Sequence, residues 1–241
     1  MIVLLTDFGQ SEYAGVMKGV IHSIACDARI VDLCHTIAPQ EIIEASWILK
    51  NSYKYFPEGA TFCCVIDPGV GTTRKAVGVK TDKYYFVGPD NGLLWETVKE
   101  LNVIDIRQIP VPPDASRTFH GRDVFAKAAA IIDLGNFERI GKKIKEIEKL
   151  ELYRNGREGI IVRVDTFGNI VTNLERLQKD KYSVEVAGGV YEMRYWSNYL
   201  LSRESELFLI EGSSNSLEIS LKNGNANDEL RLAIGTKIRI S

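Results

Sequence analysis

The chain has 241 residues, enough for one large domain or two modest ones, and its 45% hydrophobic and 26% charged residues are those of an ordinary globular protein. A formal net charge of -2, with basic residues scattered along the chain, leaves no electrostatic footprint for nucleic acid or an anionic membrane surface. The four cysteines, Cys26, Cys34, Cys63 and Cys64, never fall at CxxC spacing, which argues against a zinc or dithiol motif and predicts buried, reduced thiols in a cytoplasmic protein.

In chain order, Met1 leads straight into the apolar run Ile2 to Leu5, with no basic region or cleavage site, so neither a signal peptide nor a membrane span is expected. The run is a short strand, and Thr6-Asp7-Phe8-Gly9 follows it at once. Apolar residues at helical spacing predict a helix over Gly15 to Ile24, then a strand at Ile30 to Leu33 and a second helix over Ile42 to Tyr55. Pro57-Glu58-Gly59 turns the chain into a buried strand over Phe62 to Ile66, which breaks into Asp67-Pro68-Gly69-Val70-Gly71-Thr72-Thr73-Arg74. Tyr84 to Val87 is a further strand, followed by Gly88-Pro89-Asp90-Asn91-Gly92 and a helix over Leu93 to Leu101. After Pro110 to Asp114, Thr118-Phe119-His120-Gly121-Arg122-Asp123 opens a helix over Val124 to Leu134, with Asp123 as its expected cap. Gly141 to Glu151, rich in lysine and glutamate, reads as a linker helix or exposed connection. Beyond Gly159 only short β runs remain, at Ile160 to Val164, Tyr182 to Val186, Leu207 to Ile210, Leu217 to Leu221 and Lys237 to Ile240. The expected fold class is therefore α/β: residues 1–150 form an N-terminal α/β domain with a mostly parallel sheet, and residues 157–241 a small β-barrel.

The pattern strand, then aspartate, then glycine occurs at Asp7, Asp67, Asp90 and Asp165, the last in Asp165-Thr166-Phe167-Gly168-Asn169. Loops at the carboxyl ends of strands in open α/β sheets are where ligands bind. The acids sit on separate loops and histidine is scarce, so no metal site is expected. Neither a P-loop nor a GxSxG nucleophile is present. A lone histidine such as His120 is more often a cap or hydrogen-bonding residue than a catalyst, and His22 and His35 read as structural. Aspartates suit a ribose diol or a cationic centre, Phe167 can lie against a purine, and Asn169 offers an amide to its edge. From the residues alone the chain reads as a binder of a nucleoside-like ligand, with no reaction specified.

Taken together and in order, TDFG (Thr6 to Gly9), DPGVGTTR (Asp67 to Arg74), GPDNGL (Gly88 to Leu93), TFHGRD (Thr118 to Asp123), DTFGN with Thr172-Asn173, and LEI (Leu217 to Ile219) resemble the adenosine-forming S-adenosyl-L-methionine (SAM) hydrolase, or SAM hydroxide adenosyltransferase, family, relatives of the fluorinating and chlorinating enzymes. The resemblance covers nearly the whole chain. It implies an α/β domain followed by a β-barrel, a homotrimer with the ligand between one subunit's N-domain and a neighbour's C-domain, and attack of water on the 5′ carbon of SAM to give adenosine and methionine, with no cofactor. It places a catalytic triad on Asp67, Arg74 and His120, the ribose at Asp7, and the adenine against Phe167 and Asn169. Phe8 and Asn91 join the substrate-binding set, and Asp165, Ser213 and Glu218 line the methionine or adenine end.

The alternatives are a halide-dependent adenosyltransferase and a non-catalytic SAM or adenosine binder. The halogenating relatives carry tyrosine where this chain has Asp67, a Tyr-Ser or similar pair at His120-Gly121, and tryptophan at Gln40. The fluorinating ones also have a long insertion where only Thr81-Asp82-Lys83 stands here. An anionic Asp67 would repel a halide, which favours water as the nucleophile.

Overall fold

The computed structural model describes residues 1–241 as two compact units, Met1–Glu151 and Leu152–Ser241. In the first, the strands β1 (Ile2–Thr6), β2 (Ile30–Cys34), β3 (Thr61–Val65), β4 (Ala76–Thr81), β5 (Tyr85–Pro89), β6 (Val103–Ile109) and β7 (Lys142–Lys143) form one sheet in the order β2-β1-β3-β5-β4-β6-β7. The pairs joining β2, β1, β3 and β5 are parallel, and the β5-β4, β4-β6 and β6-β7 pairs are antiparallel. The parallel strands β1 and β3 are buried along their whole length because both faces of the sheet are covered. Alternation sends Ile2 and Leu4 to a core shared with the helices α1 (Tyr13–Ile24) and α4 (Ala126–Asp133). Val3 and Leu5 face the opposite core with α2 (Ile42–Ser52) and the single turn α3 (Trp95–Val98). Adjacent Cys63 and Cys64 part to the two faces in the same way. The alanines of α4 let it lie close against the sheet, with Ala126, Ala128, Ala129 and Ala130 all buried.

Three local expectations are corrected. The helix expected over Leu93 to Leu101 is only the α3 turn. The segment Gly141 to Glu151 is not a helix but a connection exposed at most of its charged residues, and it is tied down: it adds β7 to the sheet, packs Ile144 and Ile147 against the core, and donates Glu148 N–H to Asp90 Oδ1 at 2.7 Å. The helix expected from Val124 begins instead as a turn of π-helix (Gly121–Phe125) with His120 at its start. Asp123 does not cap it; the carboxylate accepts Ser116 N–H at 2.8 Å and pairs with Arg122.

The second unit is a closed barrel. Its strands are β8 (Glu158–Val164), β9 (Ile170–Thr172), β10 (Lys181–Val186), β11 (Gly189–Tyr195), β12 (Leu207–Glu211), β13 (Leu217–Leu221) and β14 (Lys237–Ile240), with one short helix, α5 (Ala226–Leu230). The order β10-β11-β12-β13-β9-β8-β14 closes by pairing β14 with β10, so no open edge remains. Ile161, Ile170, Val184, Leu209, Ile219 and Ile238 fill its interior. No helix of the protein is long and apolar enough to cross a membrane.

Candidate active site

The polar centre of the N-terminal unit is built on the loop that leaves β3. Its turns close through Val70 N–H to Asp67 O and Thr72 N–H to Gly69 O, each at 3.2 Å. Gly71 has φ +75°, and a Cβ there would stand 2.3 Å from the carbonyl oxygen of Arg117. Only glycine lets this loop lie against the segment that leads into His120.

The loop returns Arg74 onto Asp67. Arg74 Nε donates to Asp67 Oδ1 at 2.8 Å and Nη2 donates to Asp67 Oδ2, a bidentate pair with side chains only 10% and 6% exposed. Nη2 also stands 2.7 Å from His120 Nδ1. A guanidinium has no acceptor, so His120 Nδ1 must accept, which fixes the ring as the neutral tautomer with its proton on Nε2. Burial, and then the charge of Arg74, hold His120 below the ordinary histidine pKa, against the smaller pull of Asp67 and Asp123. Phe125, fully buried, lies under the guanidinium at 5.2 Å.

The other expected residues of this unit fall around that centre. Asp7 and Phe8 leave the end of β1, the neighbour of β3, and Asp7 Oδ2 accepts Gln40 N–H at 2.8 Å. Phe8 meets the rings of Tyr13 at 5.6 Å and Phe119 at 5.8 Å, and Phe119 directly precedes His120. Asn91, on the loop after β5, spends its amide on Ile66 O at 3.0 Å and on Leu93 N–H at 3.2 Å, bracing the backbone just before Asp67. Sequence reasoning missed Phe119, Tyr13 and Phe125. The only available signal was Phe119's place beside His120.

In the barrel, the carboxylate of Asp165 organises its own loop. Oδ1 accepts the N–H groups of Phe167 and Asn169, both at 2.9 Å, and Oδ2 accepts Asn169 Nδ2 at 2.9 Å. This leaves the Phe167 ring 77% exposed and Asn169 6% exposed, together on the wall of an open cavity of about 630 Å³ that Tyr199 and Leu200 also line. Ser213 is exposed on the turn before β13 and is not part of that wall.

Glu218, on β13, is pushed up to about 7, first by burial and then by the charge of Asp165, with Arg163 opposing. A carboxyl whose folded-state pKa exceeds its ordinary value of 4.5 keeps its proton in the folded chain where the unfolded chain has lost it. Stability is therefore expected to fall as pH rises from about 4.5 to about 7 and to level off above that. Glu218→Gln should flatten that slope in thermal melts and melt higher than the parent above the transition. A parent slope unchanged by the substitution would assign the effect elsewhere.

The comparisons with known proteins agree along the whole chain. Residues 2–141 match the SAM hydroxide adenosyltransferase N-terminal domain and residues 159–239 match the corresponding C-terminal domain. An "(R)-S-adenosyl-L-methionine hydrolase" of Thermus thermophilus is 34% identical over 99% of this chain and 98% of its own. One of Methanocaldococcus jannaschii is 38% identical over 73% of this chain and 67% of its own. A "Fluorinase" of Nocardia brasiliensis is more distant, 25% identical over 76% of this chain. Among solved structures, an uncharacterized conserved protein from Thermotoga maritima superposes with a TM-score of 0.91 at 35% identity, covering 100% of both chains. With both of its domains matched in order on this fold, the chain belongs to the SAM hydroxide adenosyltransferase family.

Proposed function

We propose that this protein hydrolyses S-adenosyl-L-methionine to adenosine and L-methionine, with water attacking the 5′ carbon. The observation that carries the reading is the guanidinium of Arg74 bridging Asp67 and His120 on loops at the carboxyl end of the sheet. The new bond joins the water oxygen to C5′. The C5′–S bond breaks with its electron pair going to sulfur, so a sulfonium leaves as the neutral thioether of methionine. Such a leaving group asks for little nucleophilic strength, and the protein's main task is in-line placement.

Each oxygen of Asp67 takes one Arg74 contact and keeps lone-pair capacity for a water O–H. The spent water's proton leaves through that carboxylate. His120, whose Nδ1 is engaged by Arg74, serves as an Nε2–H donor rather than as the base. Asp7 receives the ribose hydroxyls beside Phe8.

Phe167 and Asn169 receive the adenine from a neighbouring copy in a homotrimer, while Asp165, which orders their loop, lines the methionine or adenine end with Ser213 and Glu218. Support for assembly comes from the apolar surface that the barrel exposes at Phe167, Tyr199, Leu200 and Leu201. The free cysteines suit a cytoplasmic setting.

The test is incubation with SAM in halide-free buffer made with ¹⁸O water, followed by mass spectrometry. One labelled oxygen on adenosine, free methionine and a rate indifferent to added chloride are expected. SAM recovered intact would make the protein a binder, and a chloride-dependent 5′-chloro product would make it a halogenating enzyme.

A further inference from the structure

Beyond the triad, a chain of hydrogen-bonding groups runs behind the loop that carries Asp7 and Phe8. Phe8 N–H donates to Thr6 Oγ1 at 3.3 Å, and Thr6 Oγ1 stands 2.8 Å from His35 Nδ1. On the far side of the ring, His35 Nε2 lies 3.0 Å from Asp32 Oδ1, and Lys18 Nζ reaches Asp32 Oδ2 at 2.6 Å. The backbone of His35 adds a second hold, because its carbonyl accepts Gly9 N–H at 2.6 Å. His35 thus grips both ends of the turn from Thr6 to Gly9, by its side chain at one end and its main chain at the other.

The direction of each bond follows from the chemistry. Burial disfavours an ionised Asp32, but the bonds from Lys18 and His35 outweigh it and hold the carboxyl below its usual value. Nε2 is the ring nitrogen that faces this carboxylate, so it is the one placed to carry the single proton of a neutral ring. In the neutral ring Nδ1 is then an acceptor, and it takes the hydroxyl proton of Thr6. Thr6 is fully buried, so its hydroxyl has no water to turn to. With its proton committed to His35, its lone pairs are aimed at Phe8 N–H. The register between β1 and β2 slips between Leu4 and Leu5, and this irregularity falls where Asp32 and His35 approach the end of β1.

We propose that His35, oriented by Asp32, is a positioning residue for ribose recognition: through Thr6 and the carbonyl bond to Gly9 it sets the backbone that aims the Asp7 carboxylate at the nucleoside. The proposal rests on the reading that Asp7 holds the ribose hydroxyls. It gives a function to a histidine that the sequence presents as structural.

The test compares affinity for adenosine and for 2′,3′-dideoxyadenosine, which lacks both ribose hydroxyls, by calorimetry on the intact chain. The parent is expected to favour adenosine by about 10- to 100-fold, the worth of hydrogen bonds to a charged group. His35→Leu should bring the ratio within about 3-fold by loosening those same bonds, while His35→Asn, whose amide oxygen reaches the place of Nδ1, should restore most of it. Should His35→Leu fail to fold, Thr6→Val against Thr6→Ser makes the same comparison. A folded His35→Leu or Thr6→Val that keeps the parent's ratio overturns the positioning role. A parent that does not distinguish the two nucleosides overturns the ribose reading of Asp7 itself, and the two failures are told apart by which protein shows them.

Discussion

Arg74→Lys should lower kcat by about 10²- to 10³-fold, the scale of removing one preorganised donor from a reacting centre, while leaving KM for SAM and the melting temperature close to the parent's. Lysine keeps the positive charge near Asp67 but not the shape. The guanidinium donates to both oxygens of Asp67 and, from the same Nη2, to His120 Nδ1. An ammonium on a flexible stem reproduces the attraction without the planar fork that holds three acceptor atoms at once. It also gives up the face that rests on Phe125. The expected signature is a loss confined to the chemical step, because on the proposed reading Arg74 holds Asp67 and His120 rather than the nucleoside. A lysine variant within a few-fold of the parent would show that charge alone suffices and that the bridge to His120 is idle.

Asp67→Ala should destabilise the N-terminal unit by about 3–5 kcal/mol, the cost of stranding a buried charge. Arg74 is 10% exposed at its side chain, and with Asp67 gone it keeps only His120 Nδ1 and a long 3.4 Å contact to Lys75 O. The double variant Asp67→Ala/Arg74→Met should recover much of that loss, since an apolar pair of similar volume has no desolvation cost to offset. Denaturant midpoints of the parent, the single and the double variants separate the two effects. Equal midpoints for the single and double variants would mean that the cost lies in lost packing at Asp67 and not in the unpaired guanidinium.

The legible parts of this molecule are those where local chemistry and global fold agree. β1 and β3 are uninterrupted apolar runs that end in aspartate and glycine, so the strands and their site-bearing loops could both be read from the chain. Strand β4 (AVGVKT) escaped notice although it is mostly buried, and β6 and β11 escaped because they carry mixed patterns. In β6 (VIDIRQI), Asp105 and Arg107 pair with each other, and β11 (GVYEMRY) keeps only Met193 fully buried. Strand β9 is three residues long and is recognisable only once β13 and β8 lie beside it.

Asp67 and Arg74 share one loop, but His120 lies 46 residues beyond Arg74, and its meeting with them depends on Gly71 passing under the backbone of Arg117. Resemblance named those three residues, but no periodicity could have brought them together. The π-helical turn after His120 was likewise invisible, because a wide turn leaves no compositional mark. The role of Asn91 as a brace, and of His35 as a grip on the Thr6 to Gly9 turn, came only from distances.

The two thiols in the middle of β3 gain meaning from the proposed substrate, which is itself an alkylating agent. A sulfonium transfers carbon to whatever nucleophile stands near it, and a thiolate is a far better one than water. Cys63 and Cys64 lie on the strand that delivers Asp67, both fully buried. Burial pushes the Cys63 thiol up to about 12, and burial together with Cys63 raises Cys64 well above its ordinary value. On the proposed reading, the strand that leads to Asp67 thus carries its sulfur as buried thiols, the form least open to alkylation.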